Sequence, residues 1–182
     1  MTAPLDVGPL EPRHRARIEE ILVATGVFRD EEVAVALELF DEGVGPVPGT
    51  GYQVPGVATR DPDYHFVGAF ADDDLLGYAC YGPTPGTDRT HDLYWIAVHP
   101  GAQGAGAGTH LLDEVERRLR NVGARLLVVE TSGRDEYRAT RGFYAAREYA
   151  ASARVRDFYA PGDDRIIFTK RLTPRSVHAD AE

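Results

Sequence analysis

The hexapeptide Gln103-Gly104-Ala105-Gly106-Ala107-Gly108 is the stretch best suited to chemistry. It lies between an apolar run, Leu93 to Val98, and a helical pattern that begins near Thr109. A chain that turns through glycines into a helix presents unpaired backbone amides at the helix start, and glycine lets an anion approach them closely. The amides of residues 104–109 are therefore a candidate phosphate cradle. Glycine-rich turns are weak signals alone. This one lacks the lysine of a Walker A loop and the GxGxxG spacing of a dinucleotide fold. Its specific feature is the order V-x-P-x-x-Q-G-x-G-x-G, from Val98 through Pro100 and Gln103 to Gly108, ahead of an amphipathic helix.

The elements that position this turn follow from periodicity. Leu93 to Val98 is rich in β-branched and aromatic residues and reads as a strand. After the glycines, Leu111, Leu112, Val115, Leu119 and Val122 share one helical face. Acidic Asp113, Glu114 and Glu116 precede basic Arg117, Arg118 and Arg120, the order the helix dipole favours, and Gly123 stands where a left-handed cap belongs. Upstream, the pattern predicts a short edge strand over 5–10, a helix from Pro12 to Thr25 ended by Gly26, and a second helix with Asp30 as N-cap and Val33, Leu37 and Phe40 inward. The segment DEGVGPVPGTGYQVPG reads as a loop. Two strands, 64–71 and 75–81, flank Asp72-Asp73-Asp74. These aspartates form a hairpin turn rather than a calcium loop, because no EF-hand glycine or distal glutamate follows. Downstream come a strand over 125–130, a helix over 135–147, strands over 149–155 and 165–169 joined by RDFYAPGDD, and a polar tail, 173–182.

A chain of 182 residues suits one domain with a sizeable core, here residues 1–172. The element order predicts an α/β fold (α+β by some schemes) with a mixed, twisted central sheet and helices on both faces. No apolar run is long enough to cross a membrane, and Met1-Thr2-Ala3-Pro4 opens neither a signal nor a transit peptide, so a cytoplasmic location is expected. A net charge of −9 argues against nucleic acid as partner and is compatible with a cationic or amine-bearing substrate. The single cysteine, Cys80, lies in an apolar run and reads as a buried thiol. There is no disulfide framework, and no metal is expected.

The run ending in QGAGAG resembles the acyl-CoA motif of the GNAT family of N-acetyltransferases, (Q/R)xxGx(G/A), with Gln103, Gly106 and Gly108 in the motif positions. A second family pattern, N-x-x-A-x-x-(F/L)-Y-x-x-x-G-F, falls on residues 137–149. Phe143, Tyr144 and Tyr149 keep its hydrophobic spacing, while Tyr137 replaces the asparagine, Thr140 the alanine and Glu148 the glycine. The resemblance covers about Leu5 to Leu172, with specific motifs only over 91–149. It implies the acyl-CoA N-acyltransferase fold, in which the strands ending near Val98 and Glu130 splay to admit the pantetheine arm. It also implies acetyl-CoA as donor, held by Ala97, Val98, Gln103, Gly104, Ala105, Gly106, Ala107, Gly108 and Thr109. Tyr137 would stand where the family's asparagine touches the CoA arm, with Thr131 and Ser132 as substitutes.

Acetylation of an amine needs the amine neutral, a polarised carbonyl and a proton for the departing thiolate. The resemblance places the acid at Tyr144 and a base at Asp92, six residues before Val98, where some relatives carry a glutamate. Tyrosine suits the acid role because it is protonated at neutral pH. Asp92 is one methylene shorter, which favours a water relay; it is equally readable as an anchor that never takes a proton. His91 is a second candidate base, and His99 a third. Alternation places Tyr94 on the face of Asp92 and Trp95 with the core. By the same resemblance Phe28, Glu42 and Tyr52 border the acceptor. Asp157, Tyr159 and Asp163, in the 156–164 connection, could with Glu42 hold a cationic group, or could simply form a solvated hairpin. The expected reaction is acetyl transfer to a primary amine of a small molecule by direct attack in a ternary complex. A protein N-terminal or lysine acetyltransferase and an inactive CoA-binding regulatory module are the alternatives. The family also suggests a homodimer.

Overall fold

A computed structural model describes residues 5–44 and 63–172 of the chain. The fold is a mixed, twisted central sheet flanked by helices, as the element order predicts. It comprises two compact units. One holds the described residues up to Pro83 together with Leu93–Val115, the other Thr84–Asp92 and the described residues from Glu116 onward.

The first unit begins with β1 (Leu5–Gly8), a 3-10 turn over Pro12–His14, α1 (Arg15–Thr25) and α2 (Asp30–Val44). Gly26 ends α1 in the left-handed region, φ 66°. The first ladder bond of α2 runs from the Val33 amide to the Arg29 carbonyl. The Glu32 carboxylate accepts the Arg29 amide at 2.8 Å, so Arg29 rather than the expected Asp30 is the cap residue and Asp30 is the first residue of the helix. Strands β2 (His65–Ala71) and β3 (Asp74–Pro83) form the expected hairpin, with Ala71 opposite Asp74. Strand β1 pairs antiparallel with β2. The Leu93–Val98 part of β4 (Thr90–Val98) follows β3 in the strand order. Ile18, Ile21 and Leu22 of α1 and Val33, Leu37 and Phe40 of α2 cover Phe66, Leu75, Tyr78 and Cys80 in one apolar cluster. Trp95 packs against that cluster, and Cys80 is buried within it, both as expected.

Helix α3 (Ala107–Asn121) spans the division between the units. Leu111, Leu112, Val115 and Leu119 are buried, but Val122 is 71% exposed. The Val122 amide still donates to the Arg118 carbonyl at 3.2 Å, but the residue stands past the last helical position, Asn121, and the chain turns at Gly123, φ 72°.

The second unit contains β5 (Leu126–Ser132), a 3-10 turn over Asp135–Tyr137, α4 (Arg138–Ala145), β6 (Ala150–Ala160) and β7 (Asp163–Arg171). Its strand order is β5-β7-β6, with β7 antiparallel to both neighbours. Helix α4 is shorter than expected, and β6 and β7 are longer. Only Pro161 and Gly162 remain as the turn between Ala160 and Asp163, which pair across it.

Candidate functional site

The glycine turn belongs to the first unit and is tied down at its start. The His99 amide donates to the Leu76 carbonyl of β3 at 2.8 Å. The His99 Nδ1 then accepts the Gly101 amide at 3.1 Å, capping a 3-10 turn over Pro100–Ala102. The Gln103 side-chain amide donates to the Val98 carbonyl at 3.3 Å, closing the turn back onto the end of β4. Gly77 of β3 lies beneath: a Cβ there would sit 2.6 Å from the Ala97 carbonyl oxygen, so only glycine permits this approach of the two strands. Ala97 is buried and Val98 half-buried at the strand end.

Gly104 and Gly106 adopt φ 81° and 94°, where side chains other than glycine are strained. A Cβ at Gly104 would touch nothing. Its conformation and open surroundings, rather than packing, therefore account for glycine. The ladder of α3 begins with the His110 amide donating to the Gly106 carbonyl at 3.0 Å, so Ala107 and Gly108 precede the first helical bond. His110 Nδ1 also lies 3.0 Å from that carbonyl. The turn thus presents left-handed glycines and a helix start beside one another, a geometry suited to an anionic ligand. Gly104 and Ala105 are exposed, Gly108 and Thr109 half-buried, and Ala107 buried.

In the second unit Tyr144 is fully buried on α4. Its ring lies 5.3 Å from that of Phe143, 5.4 Å from Tyr149 and 5.9 Å from Phe168. Burial raises its hydroxyl well above the ordinary tyrosine range, so it stays protonated. Asp92 is half-buried inside β4, and the Thr84 hydroxyl donates to its Oδ2 at 2.6 Å. His91 is half-buried beside it in sequence.

Thr131 and Ser132 lie within β5 rather than just past it. Thr131 is 4% exposed, and its Oγ1 has no hydrogen-bond partner among the described residues. Such an atom is the kind that a bound ligand satisfies. Ser132 is already engaged, donating to Asp163 Oδ1 at 2.5 Å. Tyr137 is half-buried in the 3-10 turn, with the Arg134 guanidinium 5.6 Å from its ring centroid. Glu148, where the family pattern has glycine, has φ 65°.

The expected acceptor residues fall in different settings. Phe28 packs against the α1–α2 cluster and Glu42 is exposed on the last turn of α2. Tyr52 lies outside the described residues. Asp157 and Tyr159 stand in β6, not in a loop. Asp157 Oδ1 accepts the Gly162 amide at 2.6 Å, while the Asp157 amide donates to Asp164 Oδ1 at 2.9 Å. Tyr159 is part-exposed against Phe158, ring centroids 4.9 Å apart. Asp163 is 4% exposed and bound by Ser132 and Arg134, so its carboxylate ties the start of β7 to the end of β5.

Sequence reasoning missed Thr84 as the partner of Asp92, and it missed a buried carboxylate, Glu116 of α3. Glu116 Oε1 accepts the Tyr149 hydroxyl at 2.9 Å and the Lys170 ammonium at 2.8 Å, and Oε2 accepts Arg120 at 2.6 Å. Among the described residues no group of histidine, cysteine and carboxylate side chains is arranged to hold a metal ion. No described helix is long and apolar enough to cross a membrane.

A glycine strand–turn–helix suited to an anionic ligand, on a mixed, helix-flanked sheet, is an acyltransferase-like architecture. The chain belongs to the GNAT acetyltransferase family, whose model matches residues 17–149. A Desulfovibrio desulfuricans protein assigned to the GNAT family of acetyltransferases is 41% identical. The match covers 94% of this chain and 99% of that one, with a TM-score of 0.78. The Escherichia coli ribosomal-protein-S18-alanine N-acetyltransferase has the same fold at 16% identity and a TM-score of 0.72, over 96% of this chain and 98% of that one. An aminoglycoside 6'-N-acetyltransferase solved with coenzyme A also matches at 16% identity and a TM-score of 0.69, covering 93% and 98%. Comparison with curated protein sequences gave no match.

Proposed function

We propose that this protein transfers the acetyl group of acetyl-CoA to a primary amine of a small molecule, by direct attack within a ternary complex. The observation that carries the reading is the Gly104–Gly108 turn. Its left-handed glycines and the start of α3 suit the CoA diphosphate, and His99 and Gln103 hold the turn to the end of β4. The unpartnered Thr131 hydroxyl supports a further polar contact to the pantetheine arm. Acetyl-CoA supplies an acyl group activated on sulfur.

This chain's residues then have distinct tasks. The amine must arrive neutral or lose a proton, and Asp92 is the group assigned to take it, through water; Thr84 fixes the orientation of its carboxylate. Tyr144 donates a proton to the sulfur as the carbon–sulfur bond breaks and the carbon–nitrogen bond forms. Its burial keeps the hydroxyl protonated and excludes bulk water from it. The net charge of −9 favours a cationic amine over an acidic one, and a cytoplasmic location agrees with the single buried thiol.

The test is release of free CoA from acetyl-CoA with a panel of small amines, peptides with free N-termini and lysyl peptides. Turnover with small amines supports the proposal. Turnover confined to peptides would replace it with protein acetylation. CoA binding without turnover on any amine would leave a binding module.

A further inference from the structure

We propose that Glu116 is a positioning residue for the reaction, acting through Tyr149 on the ring of Tyr144; the proposal rests on the reading of Tyr144 as the acid. All the groups involved lie in the second unit. Glu116 is 3% exposed, midway along α3, and its carboxylate receives three hydrogen bonds, from Tyr149, Lys170 and Arg120. Tyr149, itself 3% exposed, lies tilted against Tyr144 with ring centroids 5.4 Å apart and planes at 60°. The Tyr149 amide also donates to the Tyr144 carbonyl at 3.2 Å, so the two residues are joined through ring and backbone. The Lys170 ammonium lies 5.2 Å from the Tyr149 ring centroid, closing the group from the β7 side.

This expensive arrangement is poorly explained by stability. Removing a carboxylate and an ammonium from water costs several kcal/mol each, and well-packed apolar residues of similar volume commonly serve as well or better. A leucine at 116 and a phenylalanine at 149 would fill the same space. The hydrogen bond from Tyr149 adds what packing alone lacks: it pins the far end of the ring to one point on α3. That ring is one of three walls around Tyr144, with Phe143 and Phe168, and it alone among them carries a polar tether. An acid must meet the sulfur within hydrogen-bond reach, so a small displacement of Tyr144 reaches the chemical step directly.

Tyr149→Phe keeps the ring and removes only the tether. It is expected to lower kcat about tenfold while KM for acetyl-CoA stays within about twofold. In a Tyr144→Phe background the same change is expected to cost nothing further, because the group it positions is gone. Glu116→Gln keeps an acceptor for the Tyr149 hydroxyl and is expected to retain more kcat than Glu116→Leu combined with Lys170→Met, which removes the buried carboxylate and its half-buried ammonium partner. Tyr144's ring resonance, assigned in tyrosine-labelled protein by its loss in Tyr144→Phe, reports position independently of turnover. It is expected to shift in Tyr149→Phe. An unmoved resonance with normal kcat in folded Tyr149→Phe would overturn the positioning role and leave the acid assignment standing. A moved resonance with full turnover in Tyr144→Phe would overturn the acid assignment and leave the hold on Tyr144 intact.

Discussion

The Thr84 hydroxyl donates to Asp92 Oδ2 at 2.6 Å, joining the loop before β4 to the carboxylate assigned as base. A carboxylate held this way has a fixed orientation, which a water relay requires. Asp92→Asn is nearly isosteric and removes the proton acceptor. It is expected to lower kcat by about 10²-fold or more while leaving KM for acetyl-CoA nearly unchanged. Steady-state kinetics with each substrate varied would separate this from an anchoring role, which would raise KM for the amine at nearly constant kcat.

Gly104→Ala tests the donor turn without a steric clash, since the added Cβ would touch nothing in the protein. At φ 81° the alanine is strained by roughly 1–2 kcal/mol, and the turn spends more time in other conformations. Apparent affinity falls by the lost fraction of the competent form. KM for acetyl-CoA, and Kd for CoA by calorimetry, should rise about tenfold with kcat within about twofold. Unchanged affinity would remove the cradle from the donor site.

Tyr144→Phe should lower kcat by about a hundredfold under conditions where thiolate loss is slow, with CoA affinity nearly unchanged. Burial raises the Tyr144 hydroxyl above its ordinary value of about 10, so the wild-type acid stays protonated beyond that pH. The kcat profile should therefore show no basic limb owed to Tyr144 between about pH 8 and 10. A limb in that window that disappears in Tyr144→Phe would contradict the raised value.

Local pattern carried most of the fold and much of the donor turn. The buried faces of α1 and α2, the Asp72-Asp73 hairpin and the QGAGAG turn were legible because each is set by neighbours within a few residues. What failed depended on distant partners. The 156–164 stretch reads as a connection because of Pro161, Gly162 and three aspartates, yet residues 156–160 lie in β6, where Asp164 receives the Asp157 amide and the Arg154 guanidinium. Glu116 read as one acidic residue among several early in a helix, because its partners Tyr149 and Lys170 stand 33 and 54 residues away. Thr84 gave no signal, since a threonine in a proline-rich loop is commonplace. Acceptor recognition was the least legible, because pocket shape depends on loops rather than periodic elements.

Stability should fall on the alkaline side. Burial raises the Cys80 thiol and the Tyr78, Tyr144 and Tyr149 hydroxyls, and the Glu116 carboxylate adds to the effect on Tyr149. Each group ionises at its ordinary value in the unfolded chain but stays neutral in the fold. Its contribution is complete below the unfolded value, about 8.5 for the thiol and about 10 for the phenols, and is lost as pH rises from there toward the folded value. The urea midpoint should be flat from about pH 7 to 8 and fall above it. Cys80→Ala should remove the earliest part of the decline, and a midpoint that is level to about pH 10.5 would count against the assignment.

Glu148 stands at the end of α4 with φ 65°, its amide donating to the Ala145 carbonyl at 3.3 Å. The family pattern has glycine there, and the left-handed conformation explains the preference: a side chain in it costs roughly 1–2 kcal/mol. Glu148 is exposed, so its replacement removes no buried contact. Glu148→Gly relieves the strain, and the greater freedom of glycine in the unfolded chain offsets roughly 0.5–1 kcal/mol of the gain. The net of up to about 1 kcal/mol should raise Tm by about 2–4 °C in a chain of this size. Gly123→Ala, which imposes a side chain at φ 72° after α3, should move Tm the other way. Scanning calorimetry on both variants checks the pair, and a lower Tm for Glu148→Gly would show that the glutamate side chain stabilises the turn by more than the strain costs.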